Sequence, residues 1–178
     1  CVTGVQTCAL PIFARDLGLR IHADLNERFG ASVPDWPAFP DSAEALAYLK
    51  RHYKLVILSN VDRQSFAASN RKLGVTFDGI HTAEDIGSYK PDPRNFAFLL
   101  EHLEADLGLG AHDVLHTAQS LFHDHVPAQK AGLARAWIDR RFDKAGSGAT
   151  LMPEQRPSVD FHFKSLADMA RAHREAMA

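Results

Sequence analysis

A chain of 178 residues with 46% hydrophobic content is long enough for one domain with a sizeable core and a small appended subdomain. Its 20 Lys and Arg against 22 Asp and Glu leave a formal charge of −2, with both signs mixed along the chain. That balance argues against nucleic acid or a membrane surface as partner and points to small molecules; no apolar run approaches the roughly 20 residues of a spanning helix, so the expected setting is the cytoplasm.

Both cysteines, Cys1 and Cys8, fall within residues 1–12, a segment without helical periodicity. It resembles a translated sequencing-adapter junction, so it is set apart as a non-native segment, with a genuine β-strand as the alternative. Residues 13–178 then contain no cysteine, which removes disulfides and thiolate catalysis from consideration there.

From Phe13 the pattern is helical: Leu17, Ile21, Leu25 and Phe29 recur every four residues, and Gly30 offers a stop. The Pro-rich link from Val33 to Pro40 cannot continue that helix, and a domain boundary is expected here, with 13–35 on one side and 36–178 on the other. Asp41 and Glu44 have capping-box spacing ahead of a short helix that buries Leu46, Leu49 and Tyr53. Lys54 to Asn60 is a short apolar run ending in Ser59 and Asn60, which predicts a strand buried on both faces. A helix from Gln64 to Leu73, stopped by Gly74, and a strand over Gly79–Thr82 follow.

Asp92 is expected to cap a helix whose first position is Pro93, with Phe96, Leu99, Leu100 and Leu103 facing inward. A strand over Asp113–Ala118, a short helix over Val126–Ala131, a strand over Ala134–Ile138, a loop over Arg140–Pro157, and a strand near Asp160–Phe163 leading into a helix from Ser165 complete the chain. The alternation of strand and helix predicts an α/β fold, a parallel sheet with helices on both faces. Gly146-Ser147-Gly148 is no dinucleotide fingerprint, because it neither follows a strand directly nor opens a helix.

In an open parallel sheet, ligands bind beyond the carboxyl ends of the strands. Three groups are expected at such ends: Ser59 and Asn60; Lys90, in the turn Ser88-Tyr89-Lys90-Pro91; and Gln119, Ser120 and Asp124. Taken singly, Ser59-Asn60 reads as a turn, Lys90 as a solvated charge and Asp124 as a helix cap. Their convergence points to chemistry on anions. His112, His116, His123 and His125 crowd one region but lack His-x3-His spacing on a helix, so a transition-metal site is not expected, and His123 is assigned instead to the lining of the site.

These pieces, in order, resemble the haloacid dehalogenase (HAD) superfamily of hydrolases: Leu58-Ser59-Asn60 stands for its second motif, Lys90-Pro91-Asp92 for its third and His123-Asp124 for its fourth. Trp36 to Pro40, the Ser88-Tyr89-Lys90-Pro91 form and the run Ala118 to His125 look most like the 2-haloacid dehalogenase (type II) branch. The resemblance implies a Rossmann-like parallel sheet, with Phe13 to Val33 as the remnant of a helical cap. It also implies hydrolysis through an aspartyl ester.

In that chemistry Lys90 keeps the nucleophile ionised, Asp124 anchors Lys90 and helps place water, and Ser59 and Asn60 donate hydrogen bonds to the substrate carboxylate or the nucleophile. Gln119, Ser120 and His123 complete the substrate pocket. The substrate implied is a small anion, a 2-haloacid or, alternatively, a phosphate ester. Phosphatases of the superfamily hold Mg2+ with acidic residues, the first of which stands here as Gln119, so no metal cofactor is expected; Asp124 is the ligand left for Mg2+ under the phosphatase alternative. The first motif is missing: Asp16 and Asp24 lie inside the amphipathic helix. A strand, its loop and the opening cap helices, on the order of fifty residues or more, are implied to be lacking, so this chain alone is expected to be inactive. A non-catalytic domain that binds anions or a partner stands as the rival from another class, and a homodimer through the cap stays open.

Overall fold

The computed structural model describes residues 23–144 and 151–178. Residues 1–12, most of the helix predicted from Phe13 and part of the loop predicted after Arg140 lie outside the described residues. The helix is seen from α1 (Ala23–Ala31), which runs one residue past Gly30. The Pro-rich link then forms a single 3-10 turn, Val33–Asp35. It is tied back on both sides, because Trp36 Nε1 donates to Ser32 Oγ at 3.0 Å and Lys72 Nζ donates to the carbonyls of Pro34 and Trp36.

The alternation continues with α2 (Ser42–Leu49), β1 (Val56–Ser59), α3 (Arg63–Leu73), β2 (Gly79–Thr82), α4 (Ala83–Ile86) and α5 (Arg94–Leu107). After a 3-10 turn come β3 (Leu115–Ala118), a π-helical turn (Leu121–His125), α6 (Val126–Lys130), β4 (Ala134–Ile138), β5 (Phe161–Phe163) and α7 (Leu166–Ala176). Local chemistry sets several of these ends. Asp62 accepts from Ser65 N at 2.7 Å to cap α3, and Gly74, at φ 63°, closes it in a conformation that costs a glycine little. Thr82 and Asp85 form a capping box for α4, a helix that no sequence periodicity announced.

Among the described residues all strand pairs are parallel, and the strands form two sheets: β1 with β2, in register from Val56–Gly79 to Ser59–Thr82, and β3-β4-β5. Helices cover both faces. Leu55 packs into a cluster of Ala45, Tyr48, Leu49 and Ala170 from α2 and α7, whereas Leu58, an odd number of residues along, packs into a cluster around Phe96, Ala128 and Leu133.

Four expectations are corrected. Asp41 makes no side-chain cap; its carboxylate instead takes the Arg140 guanidinium at 2.8 Å and Ala167 N at 3.2 Å, joining α2 to the far end of the chain. The buried face of α2 uses Ala45, Tyr48 and Leu49, while Tyr53 falls beyond the helix and is exposed. α5 begins one residue late, at Arg94, whose N–H the Asp92 carboxylate accepts at 2.9 Å. Finally, β1 is half-buried at all four positions rather than buried on both faces, because, among the described residues, one of its edges borders a cleft.

Candidate active site

Lys90 is fixed from three directions. Behind it, Asn95, only 1% exposed, donates through Nδ2 to Ser88 Oγ (3.2 Å) and to the Asp92 carbonyl (3.1 Å), while Asp92 N closes the turn on the Tyr89 carbonyl at 3.0 Å. From the end of β1, the Asn60 side chain accepts from Lys90 N at 2.7 Å and donates to the Lys90 carbonyl at 2.9 Å. Finally, the Lys90 ammonium, with its side chain 9% exposed, donates to the Leu58 carbonyl at 2.8 Å and to Asp124 Oδ1 at 2.6 Å. A buried ammonium is tolerated only when paired and hydrogen-bonded, and both conditions are met.

Asp124 is presented by the π-helical turn after β3. Ser120 opens that turn, its Oγ accepting from His123 N at 3.0 Å and sharing a hydrogen bond with His123 Nδ1 at 3.1 Å. The extra residue per turn brings both Asp124 N (3.2 Å) and His125 N (3.3 Å) to the Ser120 carbonyl. His116, on β3, places Nε2 3.3 Å from Asp124 Oδ1, a close contact without hydrogen-bond alignment, and packs its ring on Phe96.

Burial by itself would push the Asp124 carboxyl up, but the Lys90 charge, aided by His116, outweighs it and holds the group well below the usual carboxylate range. His123 is pushed down by burial and lies close enough to Asp124 and Lys90 to feel both charges. His125, fully buried, is also pushed down by burial. Its Nε2–H donates to the Ala118 carbonyl at 3.0 Å, which leaves Nδ1 as an acceptor without a partner among the described residues.

Lys90, Asp124, Asn60 and His123 therefore meet at the carboxyl ends of β1 and β3, and Ser120 joins through His123. Ser59 ends β1, half-buried. Gln119 has an exposed side chain, and its carbonyl accepts from Trp137 Nε1 at 2.9 Å. The four histidines separate: His112 is exposed at the opposite end of β3, while His116, His123 and His125 surround Asp124. Among the described residues no three His, Cys, Asp or Glu side chains are grouped to hold a metal ion.

A cavity of about 510 Å³ runs from Lys90 and Asp124 along the space between β1 and β3. Two members of the site escaped sequence reasoning. One is the Leu58 carbonyl, invisible as a side chain. The other is His116, whose place on the strand was legible but whose partner was not.

Residues 12–117 match the family of haloacid dehalogenase-like hydrolases. Over 136 residues, 75% of this chain and 57% of the relative, the chain is 34% identical to (S)-2-haloacid dehalogenase 4A from Burkholderia cepacia; it thus spans little more than half of that curated protein. The structure superposes on L-2-haloacid dehalogenase from Xanthobacter autotrophicus with a TM-score of 0.74 and 26% identity, covering 97% of this chain and 75% of that one. The Xanthobacter enzyme with chloropropionic acid covalently bound gives the same values. A HAD phosphatase from Thermococcus onnurineus, 20% identical with a TM-score of 0.62, shares the fold. No described helix is long and apolar enough to cross a membrane. The chain belongs to the haloacid dehalogenase-like hydrolases and stands close to the L-2-haloacid dehalogenases in sequence and structure.

Proposed function

We propose that this chain carries the charge-holding half of a 2-haloacid dehalogenase site, acting on a small 2-haloacid without a metal. The observation that carries the reading is the buried Lys90–Asp124 pair, latched by Asn60 at the strand ends, in a chain so close to L-2-haloacid dehalogenases. In the reaction an aspartate oxygen attacks C2 and the carbon–halogen bond breaks with loss of halide. Water then adds to the ester carbonyl, which frees the 2-hydroxyacid and returns the carboxylate, with one proton released. That the Xanthobacter relative is known with chloropropionic acid covalently bound supports this route.

The residues take distinct parts. Lys90 pairs with the nucleophilic carboxylate and keeps it ionised. Asp124, held so far down, is a weak base, so it orients Lys90 and accepts a hydrogen bond from the hydrolytic water instead of taking a proton. Asn60 is a positioning residue for Lys90, with a second Nδ2–H left for substrate. Ser59, Gln119, Ser120 and His123 line the place where the substrate carboxylate sits.

The donor set does not suit a hard divalent cation. Its one carboxylate, Asp124, is already paired with Lys90, and the neighbouring side chain, Gln119, is a neutral amide. Among the described residues Asp124 is the carboxylate in ion-pair contact with Lys90, and it is engaged. The reading takes the nucleophile to be an aspartate on a strand this chain lacks, and the 178-residue chain alone is proposed to be inactive. Release of chloride from L-2-chloropropionate in the presence of EDTA, by a longer form that supplies an aspartate, tests the assignment. Cleavage of phosphate esters strictly dependent on Mg2+ would instead establish a phosphatase.

A further inference from the structure

Strand β2 and helix α5 each contribute one histidine to a pair that has no part in the anion site. His81 stands on the same face of β2 as Gly79, two residues back, and its Nε2 lies over that glycine: a Cβ there would come within 3.3 Å of the nitrogen. The absent side chain leaves room beside Nε2. His102, on α5, brings its ring centre to 5.2 Å from that of His81, with the planes tilted by 59°. Phe98, one turn earlier on α5, walls both rings, stacked on His102 at 3.8 Å and edge-on to His81 at 5.5 Å.

The helix itself sets the tautomer of His102. Its Nδ1 lies 2.9 Å from the Phe98 carbonyl, which can only accept, so Nδ1 carries the hydrogen and Nε2 of the neutral ring keeps its lone pair. Backbone carbonyls orient metal-ligating imidazoles in this way. His81 is also held toward its neutral, ligating form: burial first, and then the nearby His102, push its pKa below the ordinary value, against the pull of Asp85 and Asp106. Two imidazoles on one tetrahedral ion, with nitrogens about 2.0–2.1 Å from the metal, have ring centres about 5 Å apart, and this pair matches that spacing.

The charges that act on His81 from outside the pair, Asp85 and Asp106, are both negative. Thr82 and Arg63 engage Asp85, while Asp106 is exposed one turn beyond His102. A second histidine pair provides the contrast. His52 and His173, 4.8 Å apart, pack around Tyr48 together with the Arg51 and Arg174 guanidiniums, 5.0 and 4.2 Å from that ring, and those charges repel a cation.

We propose that His81 and His102 bind a divalent transition-metal ion of the zinc type through their two imidazole nitrogens, with water completing its coordination. Such an ion ties β2 to α5 and stabilises the folded chain according to its affinity. The inference concerns binding and is measured without turnover, so it stands or falls apart from the dehalogenase reading.

The test titrates the whole, isotopically labelled chain with Zn2+ alone and follows the imidazole nitrogens by NMR. The Nε2 signals of His81 and His102 shift together and saturate, while those of His52 and His173 do not move at the same concentrations. The thermal midpoint rises with added Zn2+. His81→Gln and His102→Gln each weaken binding about tenfold or more. Because the nitrogen signals are read on the unaltered chain, a variant that folds poorly does not leave the question open. Shifts that centre on His52 and His173, or that spread evenly over the exposed histidines, overturn the proposal. So does the absence of saturable binding, or an unchanged affinity in both glutamine variants.

Discussion

The Asn60 side chain and the Lys90 backbone are joined twice, Oδ1 accepting from Lys90 N at 2.7 Å and Nδ2 donating to Lys90 O at 2.9 Å. An asparagine amide thereby does what a neighbouring strand would do, satisfying both backbone groups of one residue. Asn60→Ala strands those groups and is expected to lower stability by about 1–3 kcal/mol. Asn60→Asp keeps an acceptor but loses the donor, and should fall between the two. Urea unfolding of the three proteins, with unchanged m-values, checks this order.

Lys90→Ala leaves Asp124 buried and unpaired, so a loss of about 3–5 kcal/mol is expected. The double variant Lys90→Met with Asp124→Leu removes both charges and should recover most of that loss, since an apolar pair of similar volume carries no desolvation cost. A double variant as unstable as Lys90→Ala would show that the pair itself, and not the orphaned charge, sets the effect. Equilibrium unfolding reads both.

Stability should decline over two pH ranges as acid is added. Burial holds His125 neutral in the folded state, with its pKa below the ordinary value of about 6.5, so the unfolded chain binds more protons as the pH falls through that value. Stability is therefore full above it and declines below it. Asp124, pushed down in the folded state, contributes stability that is present above the ordinary carboxylate value of about 3.9 and is lost as the pH falls toward its folded value. His125→Gln, which keeps a donor for the Ala118 carbonyl, should make the first limb shallower, leaving the share of His81 and His123, and Asp124→Asn should do the same to the second, which Asp41, Asp62, Asp78, Asp85 and Asp92 share. Thermal midpoints measured across the acid range for the three proteins check the assignment.

Asp41 and Arg140 make a clamp across nearly a hundred residues of chain, with the guanidinium also seated 3.9 Å over the Phe39 ring. Both side chains are mostly buried, at 17% exposure each, so Asp41→Ala should cost about 1.5–3 kcal/mol, the range for a hydrogen bond to a charged group. Arg140→Ala should cost a similar amount, and the two together less than their sum. A double-mutant cycle by urea unfolding that closes additively would place the clamp outside the fold's energetics.

Much of this was legible in the sequence, for reasons that particular residues make plain. Ser59-Asn60 stand out because small polar residues end an apolar run, and Lys90 because it sits in the turn Ser88-Tyr89-Lys90-Pro91 just ahead of a helix. The order of strands and helices follows from periodicity, and Gly74 and Ser165 mark ends by their own conformational preferences. What the sequence withheld depends on partners distant along the chain. Asp41 has capping-box spacing, yet Arg140 and Ala167, on the order of a hundred residues away, win its carboxylate. His116 lies on a strand that the sequence announced, but only the π-helical turn brings Asp124 to it. The half-burial of β1 comes from the cleft that borders it among the described residues, and no local pattern in the strand reports that.

Chloride release from L-2-chloropropionate in EDTA, followed by ion chromatography, tests the central claim most directly. The 178-residue chain is expected to release none. The same chain extended at its N-terminus by an apolar strand ending in aspartate is expected to release chloride, and to lose that activity with Lys90→Ala. Turnover by the 178-residue chain alone would contradict the account, and so would an extended form that is inert toward the haloacid but cleaves phosphate esters only with Mg2+.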